Sequence, residues 1–149
     1  LDEAASAVQI ASDVCPRTKG EQTLGLRAQV CWGRVLLRLG KLREGGMMFS
    51  RLSALIQEPT LDPLLVGMIT NFSAELDLSL GRFDAALQKA EKCLVIQPAS
   101  AEAHLVRVEA FVGLGDSDAA KVAAREAIGD VRLSPRDRAR VQARLDALP

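Results

Sequence analysis

The chain has 149 residues, of which 48% are apolar and only 3% aromatic. Nineteen lysines and arginines balance nineteen aspartates and glutamates, so no basic stripe of the kind that nucleic acid requires stands out. No apolar run approaches the roughly 18 residues that a membrane-spanning helix needs, and no secretory signal is visible. These features predict one domain with a core of Leu, Ala and Val side chains, without nucleic-acid binding or membrane insertion.

In chain order, the spacing of apolar residues predicts a series of helices. The first runs from Leu1 to about Val14 and ends before Pro16. Because it lacks a preceding partner, we expect it to be a half repeat and the chain to be part of a longer protein. The following helices are predicted at 21–39, 42–57, 64–80, 83–96, 101–114, 117–128 and 135–148.

Two of these helices carry further expectations. The helix 64–80 is expected to bury one stripe made of Leu65, Ile69, Phe72, Leu76 and Leu80. The helix 42–57 contains Gly45-Gly46, which we interpret as a place where a neighbouring helix packs closely.

Glycine turns divide the chain into repeated units. Gly81 and Gly115 are 34 residues apart, and each precedes a helix that starts two residues later. Three, seven and ten residues after the start of each second helix, the side chains are mostly small and share one face. The positions are Ala4, Val8 and Ala11 after Leu1; Gly45, Phe49 and Leu52 after Leu42; Ala86, Ala90 and Cys93 after Phe83; and Ala120, Ala124 and Ala127 after Ser117.

This helix-turn-helix unit with a 34-residue period resembles the tetratricopeptide repeat (TPR) family. Trp32-Gly33 and Leu36 match part of the family's first-helix signature, whereas Ser73-Ala74 and Asp77 depart from it. The resemblance implies an all-α fold, a right-handed superhelix of antiparallel helix hairpins. It divides one domain, 1–149, into a half repeat 1–16, repeats 21–59, 64–98 and 101–132, and a capping helix 134–149.

The resemblance also implies a binding groove, because first helices line the concave face in this family. It predicts a surface that grades from basic to acidic along the chain and contacts a segment of another protein. The residues that we predict to bind the partner are Arg27, Arg34, Arg38, Met68, Asn71, Glu75, Glu102 and Glu109. The groove is also expected to include Val30, Leu37, Leu78, Leu105 and Val112.

No arrangement typical of catalysis, a cofactor or a metal is found. His104 is the only histidine and lies where the family has a packing residue, and Asp116 with Asp118 is interpreted as turn chemistry. The three cysteines, Cys15, Cys31 and Cys93, are odd in number and lack CxxC spacing. They predict reduced, partly buried thiols in a cytoplasmic protein.

The sequence therefore predicts a non-catalytic scaffold for protein–protein interaction. One alternative is a subunit in vesicle-mediated transport. It rests on a resemblance to the TPR subunit of the TRAPP tethering complex, carried by Leu39-Gly40-Lys41-Leu42, the long segment after it, and Asn71 with Glu75-Leu76. A second alternative is a regulatory domain of an enzyme whose catalytic part lies outside this chain. A third is self-association through the truncated N-terminal half repeat.

Overall fold

The computed structural model of the chain describes residues 19–57 and 60–148. This part of the chain is all-helical, which confirms the predicted class, and the half repeat predicted at 1–16 lies outside it. None of its helices is both long enough and apolar enough to cross a bilayer. The helices are α1 (Lys19–Arg38), α2 (Leu42–Ser53), a 3₁₀ helix (Ala54–Gln57), α3 (Pro63–Ser79), α4 (Phe83–Ile96), α5 (Ala101–Gly113), α6 (Ser117–Gly129) and α7 (Pro135–Asp146).

The helix boundaries mostly follow the prediction, with two corrections. The helix predicted at 42–57 is α-helical only to Ser53, and its last four residues tighten into the 3₁₀ helix. Leu80 was expected in a buried stripe, but α3 ends at Ser79 and Leu80 is 42% exposed in the turn. The other four members of that stripe are buried as predicted.

Each tight turn has the same hydrogen-bonding pattern. Gly40, Gly81 and Gly115 have φ angles of 72°, 72° and 79°, which L side chains rarely adopt. The N–H group of each glycine bonds a carbonyl three residues earlier, and the next N–H group bonds one five residues earlier. This is a Schellman motif, and it satisfies carbonyls that the helix end would leave unpaired. We call these three turns the glycine elbows.

Side-chain caps mark the starts of the last three helices. The side chains of Ser100, Asp116 and Ser134 accept hydrogen bonds from the backbone N–H groups of Ala103, Ala119 and Asp137. Asp116 therefore acts in a turn, as predicted, by satisfying an N–H group at the start of α6. Pro135 occupies the first turn of α7, where a missing N–H group costs nothing.

The chain forms two compact units, 1–72 and 73–149, and the boundary between them falls within α3. In the first unit, α1 packs against α2. The ring of Phe72 lies edge-on to that of Phe49, with ring centroids 6.0 Å apart. Its core side chains are Val30, Leu36, Leu37, Leu52, Leu65, Ile69 and Phe72.

In the second unit, α5 packs against α4, α6 and α7, and α6 also packs against α7. Its core is lined by the small residues that the repeat pattern singled out, since Ala86, Ala90, Cys93, Ala120, Ala124 and Ala127 are all fully buried. Without bulky side chains, the helix backbones approach closely, so the predicted packing role of these positions is confirmed.

Helices α5 and α7 of the second unit run in the same direction. Glu102, early in α5, pairs with Arg140, and Glu109, later in α5, pairs with Arg144 further along α7. Phe83 at the start of α4 lies against Gly113 at the end of α5, so these adjacent helices are antiparallel. In the second unit, α4 and α5 are therefore antiparallel, and α5 and α7 are parallel.

Candidate functional site

The predicted groove residues of the first unit lie on α1 and on the first part of α3. Arg27 and Arg34 are partly buried, whereas Arg38 is exposed near the end of α1. Arg27 Nη2 lies 3.6 Å from Asp62 Oδ2, so this arginine is engaged within the unit. Met68 is half-buried, but Asn71 is only 5% exposed. Of this set, Arg38 is therefore the most accessible residue.

Two positions that the resemblance assigned to the groove belong to the core instead. Val30 and Leu37 are 1% and 8% exposed, and Leu37 packs on the backbone of Gly45 in α2. The expectation that they face a partner was wrong, because both side chains are buried in the core of the first unit.

The predicted acidic residues all lie in the second unit. Glu75, on the last part of α3, and Glu102 both contribute to the electrostatic environment of the Cys93 thiol. Glu102 and Glu109 face α7. Their neighbours Leu105 and Val112 pack against the buried core of α5, α6 and α7, so those two apolar positions are less available to a partner than predicted.

Two arginines of α7 bind the acidic residues of α5. Arg140 Nη1 donates to Glu102 Oε1 at 3.2 Å and to Asp137 Oδ1 at 3.2 Å. Arg144 binds Glu109 in a bidentate manner, with Nε donating to Oε1 and Nη2 donating to Oε2 at 2.9 Å. The pKa of Arg144 is raised by these hydrogen bonds, so its positive charge is favoured further.

These arginines were missed in the sequence analysis, which treated α7 only as a charged cap. The sequence feature that could have revealed them is the spacing of the charged residues. Glu102 and Glu109 are seven residues apart and share a helix face, as do Arg140 and Arg144, four residues apart. We call the α5 surface carrying Glu102 and Glu109 the acidic face of α5.

A second charged cluster joins α3 to α4. Lys89 Nζ lies 2.5 Å from Asp77 Oδ2 and 2.6 Å from Ser73 Oγ. Asp77 and Ser73 are the residues that depart from the TPR signature. Lys89 thus balances the charge of a buried carboxylate. The ammonium group donates to the hydroxyl, which leaves it unsuited to remove the serine proton.

His104 is buried, which confirms its predicted packing role. Its Nε2 lies 3.0 Å from the carbonyl oxygen of Pro98. Burial lowers the pKa of His104 below its ordinary value, so the neutral ring is favoured and Nε2 donates this hydrogen bond. The buried Nδ1 atom has no hydrogen-bond partner. The ring thus ties the start of α5 to the turn before it.

The two described cysteines differ in exposure. Cys93 is buried, and burial raises the pKa of its thiol to about 11, so the nucleophilic thiolate is disfavoured. Cys31 was expected to be partly buried but is exposed, because it lies on the outer face of α1 with Leu24 and Val35. Both are free thiols.

Across residues 19–57 and 60–148, no group of three or more His, Cys, Asp or Glu side chains is arranged to hold a metal ion. The candidate functional surfaces are therefore the arginine side of α1 and the acidic face of α5.

Comparisons with family models, curated proteins and solved structures give no match to this chain.

Proposed function

We propose that the protein is a non-catalytic helical-repeat module of the TPR type that recognises a segment of another protein. The observation that carries this proposal is the repetition of one glycine elbow at Gly40, Gly81 and Gly115, each followed by a helix that buries its third residue after the start. Repeated hairpins of this kind present their first helices as an extended surface for partners.

Within this function, we assign partner recognition first to the arginines of α1. Arg27, Arg34 and Arg38 are spaced by seven and four residues and share one helix face. Guanidinium groups bind carboxylates with two parallel hydrogen bonds, so this face suits a segment with acidic side chains. Arg38 is the exposed member of this face, whereas the acidic face of α5 already holds the arginines of α7.

We also propose a cytoplasmic location. The free thiols of Cys31 and Cys93 support it, since thiols persist in the reducing environment of the cytoplasm, whereas secreted domains use cysteines for disulfides.

Site-specific photo-crosslinking tests the proposed function. A photoreactive amino acid is placed at Arg34 or Arg38 of the full chain in cells, and its crosslinked products are identified. We expect the same partner protein from both positions. Gln88 and Arg125 are the matched controls, because they are exposed on the second helices α4 and α6.

The partner should be absent from the crosslinks of the control positions and should be lost when Arg34 and Arg38 are both changed to Glu. Crosslinking that is equally efficient at Gln88 and Arg125 would contradict recognition by the first helices.

A further inference from the structure

We propose that the acidic face of α5 is a docking site for an arginine-bearing amphipathic helix of another protein. In this structure α7 occupies the site as an intrachain substitute for that helix. The inference extends the proposed function, because it assigns a second binding surface and the chemistry of the segment that fits it.

The contacts between α7 and α5 have the form of helix recognition. Two carboxylates seven residues apart on α5 each hold one guanidinium of α7. Val141 lies between the two arginines in sequence and is fully buried against the core of α5 and α6. Leu145 and Leu148 pack on the same core while remaining partly exposed. An apolar anchor flanked by paired charges is a common mode of helix binding.

Several features indicate that α7 can leave without unfolding the rest of its unit. Val141 is the only fully buried residue of the helix. Both ion pairs are partly exposed to water, where such pairs contribute about 1 kcal/mol or less each. Residues 130–134 connect α7 to α6, and Leu133 within this connection is buried in the core, which anchors the chain just before α7 begins.

The contacts also define the partner's chemistry. The fitting segment is a helix with two arginines four residues apart, each followed by an aliphatic residue, as in Arg140-Val141 and Arg144-Leu145. Lysine does not replace the second arginine, because Glu109 receives two hydrogen bonds from one planar guanidinium. The site therefore selects an Arg-rich helix over a merely basic one.

A fluorescent peptide with the sequence of residues 134–148 is the probe, and the full chain is the receptor. In the unaltered chain, α7 competes for the site and keeps peptide binding weak. Arg140→Glu together with Arg144→Glu repels α7 from the acidic face, and we expect this variant to bind the peptide at least 10-fold more tightly, measured by fluorescence anisotropy.

A second variant weakens the competition without touching either face. Six Gly and Ser residues inserted after Val131, which is 86% exposed, lengthen the connection and lower the effective concentration of α7. We expect peptide affinity to rise at least 3-fold in this variant. Circular dichroism checks that both variants remain folded.

The matched control compares two peptides, each with a different arginine replaced. Arg144→Gln removes a residue that binds α5 and should weaken binding at least 5-fold, whereas Arg136→Gln removes the same charge from an exposed position and should not. Equal effects of these two changes, or no gain of affinity in either chain variant, would overturn the proposal.

The other possible occupant is α7 of a second copy. A concentration-dependent dimer of the insertion variant that excludes the peptide would overturn the assignment to another protein. Because the probe reports on α5 alone, a negative result here leaves the crosslinking test at Arg34 and Arg38 independent.

Discussion

The ammonium group of Lys89 lies 2.5 Å from a carboxylate oxygen of Asp77. The side chain of Asp77 is 7% exposed, whereas that of Lys89 is 35% exposed. The carboxylate therefore depends on its partner more than the ammonium group does. Arg82, the other cation beside Asp77, is 3.7 Å away and largely exposed.

This asymmetry predicts unequal costs for removing the two partners. Lys89→Met leaves a buried charge without its main partner and should lower the free energy of unfolding by about 3 kcal/mol. Asp77→Ala leaves an ammonium group that reaches water, so we expect a loss of about 1.5 kcal/mol. Urea denaturation monitored by circular dichroism measures both values.

The double variant Asp77→Leu with Lys89→Met should be more stable than Lys89→Met alone, because no charge is left buried. Lys92→Met is the control, since Lys92 is exposed on the same helix and its loss should change stability by less than about 0.5 kcal/mol. A larger loss for Asp77→Ala than for Lys89→Met would contradict the prediction that leaving the buried carboxylate without its partner is the more costly change.

The hairpins could be predicted because local signals specify them. Gly81 and Gly115 are local stop signals, because glycine readily adopts the conformation that ends a helix. The small residues after Phe83 and Ser117 share a face through helical spacing alone. The charged contacts could not be predicted from the sequence, because the pairing of Glu102 with Arg140 depends on which helix faces meet when the helices pack. The prediction that Val30 is accessible in the groove was also wrong: this residue lies close to Arg27 and Arg34 in sequence, but its side chain is buried in the core.

Adjacent glycines in α2 should respond to alanine in opposite directions. A Cβ atom at Gly45 would lie 2.6 Å from Leu37 Cδ2, so Gly45→Ala forces a buried leucine to move and should destabilise the chain by about 1–2 kcal/mol. A Cβ atom at Gly46 has nothing within 4 Å, so Gly46→Ala gains helix propensity and should stabilise by about 0.5–1 kcal/mol. Thermal and urea unfolding measure the difference.

Each glycine serves as the control for the other, because the substitution, the helix and the flanking sequence are the same. Changes of the same sign would mean that α2 packs less tightly on Leu37 than the structure shows. The predicted close packing is confirmed at Gly45 and wrong at Gly46.

His104 should make stability depend on pH below neutrality. Its pKa in the folded chain is lower than the ordinary value of 6.5, because burial disfavours the charged ring. Between these two pKa values the unfolded chain binds more protons, so stability rises with pH. We expect the neutral His104 ring to make its full contribution to stability above about pH 6.5. That contribution should be lost progressively as the pH falls through 6.5 towards the pKa of His104 in the folded chain.

The charged groups around the ring have opposite effects on the pKa of His104: Arg107 and Arg132 lower it, and Asp130 raises it. Because His104 is the only histidine, one NMR resonance reports its titration without assignment by mutagenesis. His104→Gln keeps a donor for the Pro98 carbonyl and should flatten the stability profile between pH 5 and 7. A folded pKa above 6.5 would contradict the prediction.

The pairing of Glu102 with Arg140 spans 38 residues, and that of Glu109 with Arg144 spans 35. A chain organised in this way closes only short loops, and proteins dominated by short-range contacts fold quickly. During synthesis, each new helix meets neighbours that have already left the ribosome. A hairpin added at the end of such a chain would leave the contacts of the earlier helices unchanged, as it does in proteins built from repeats.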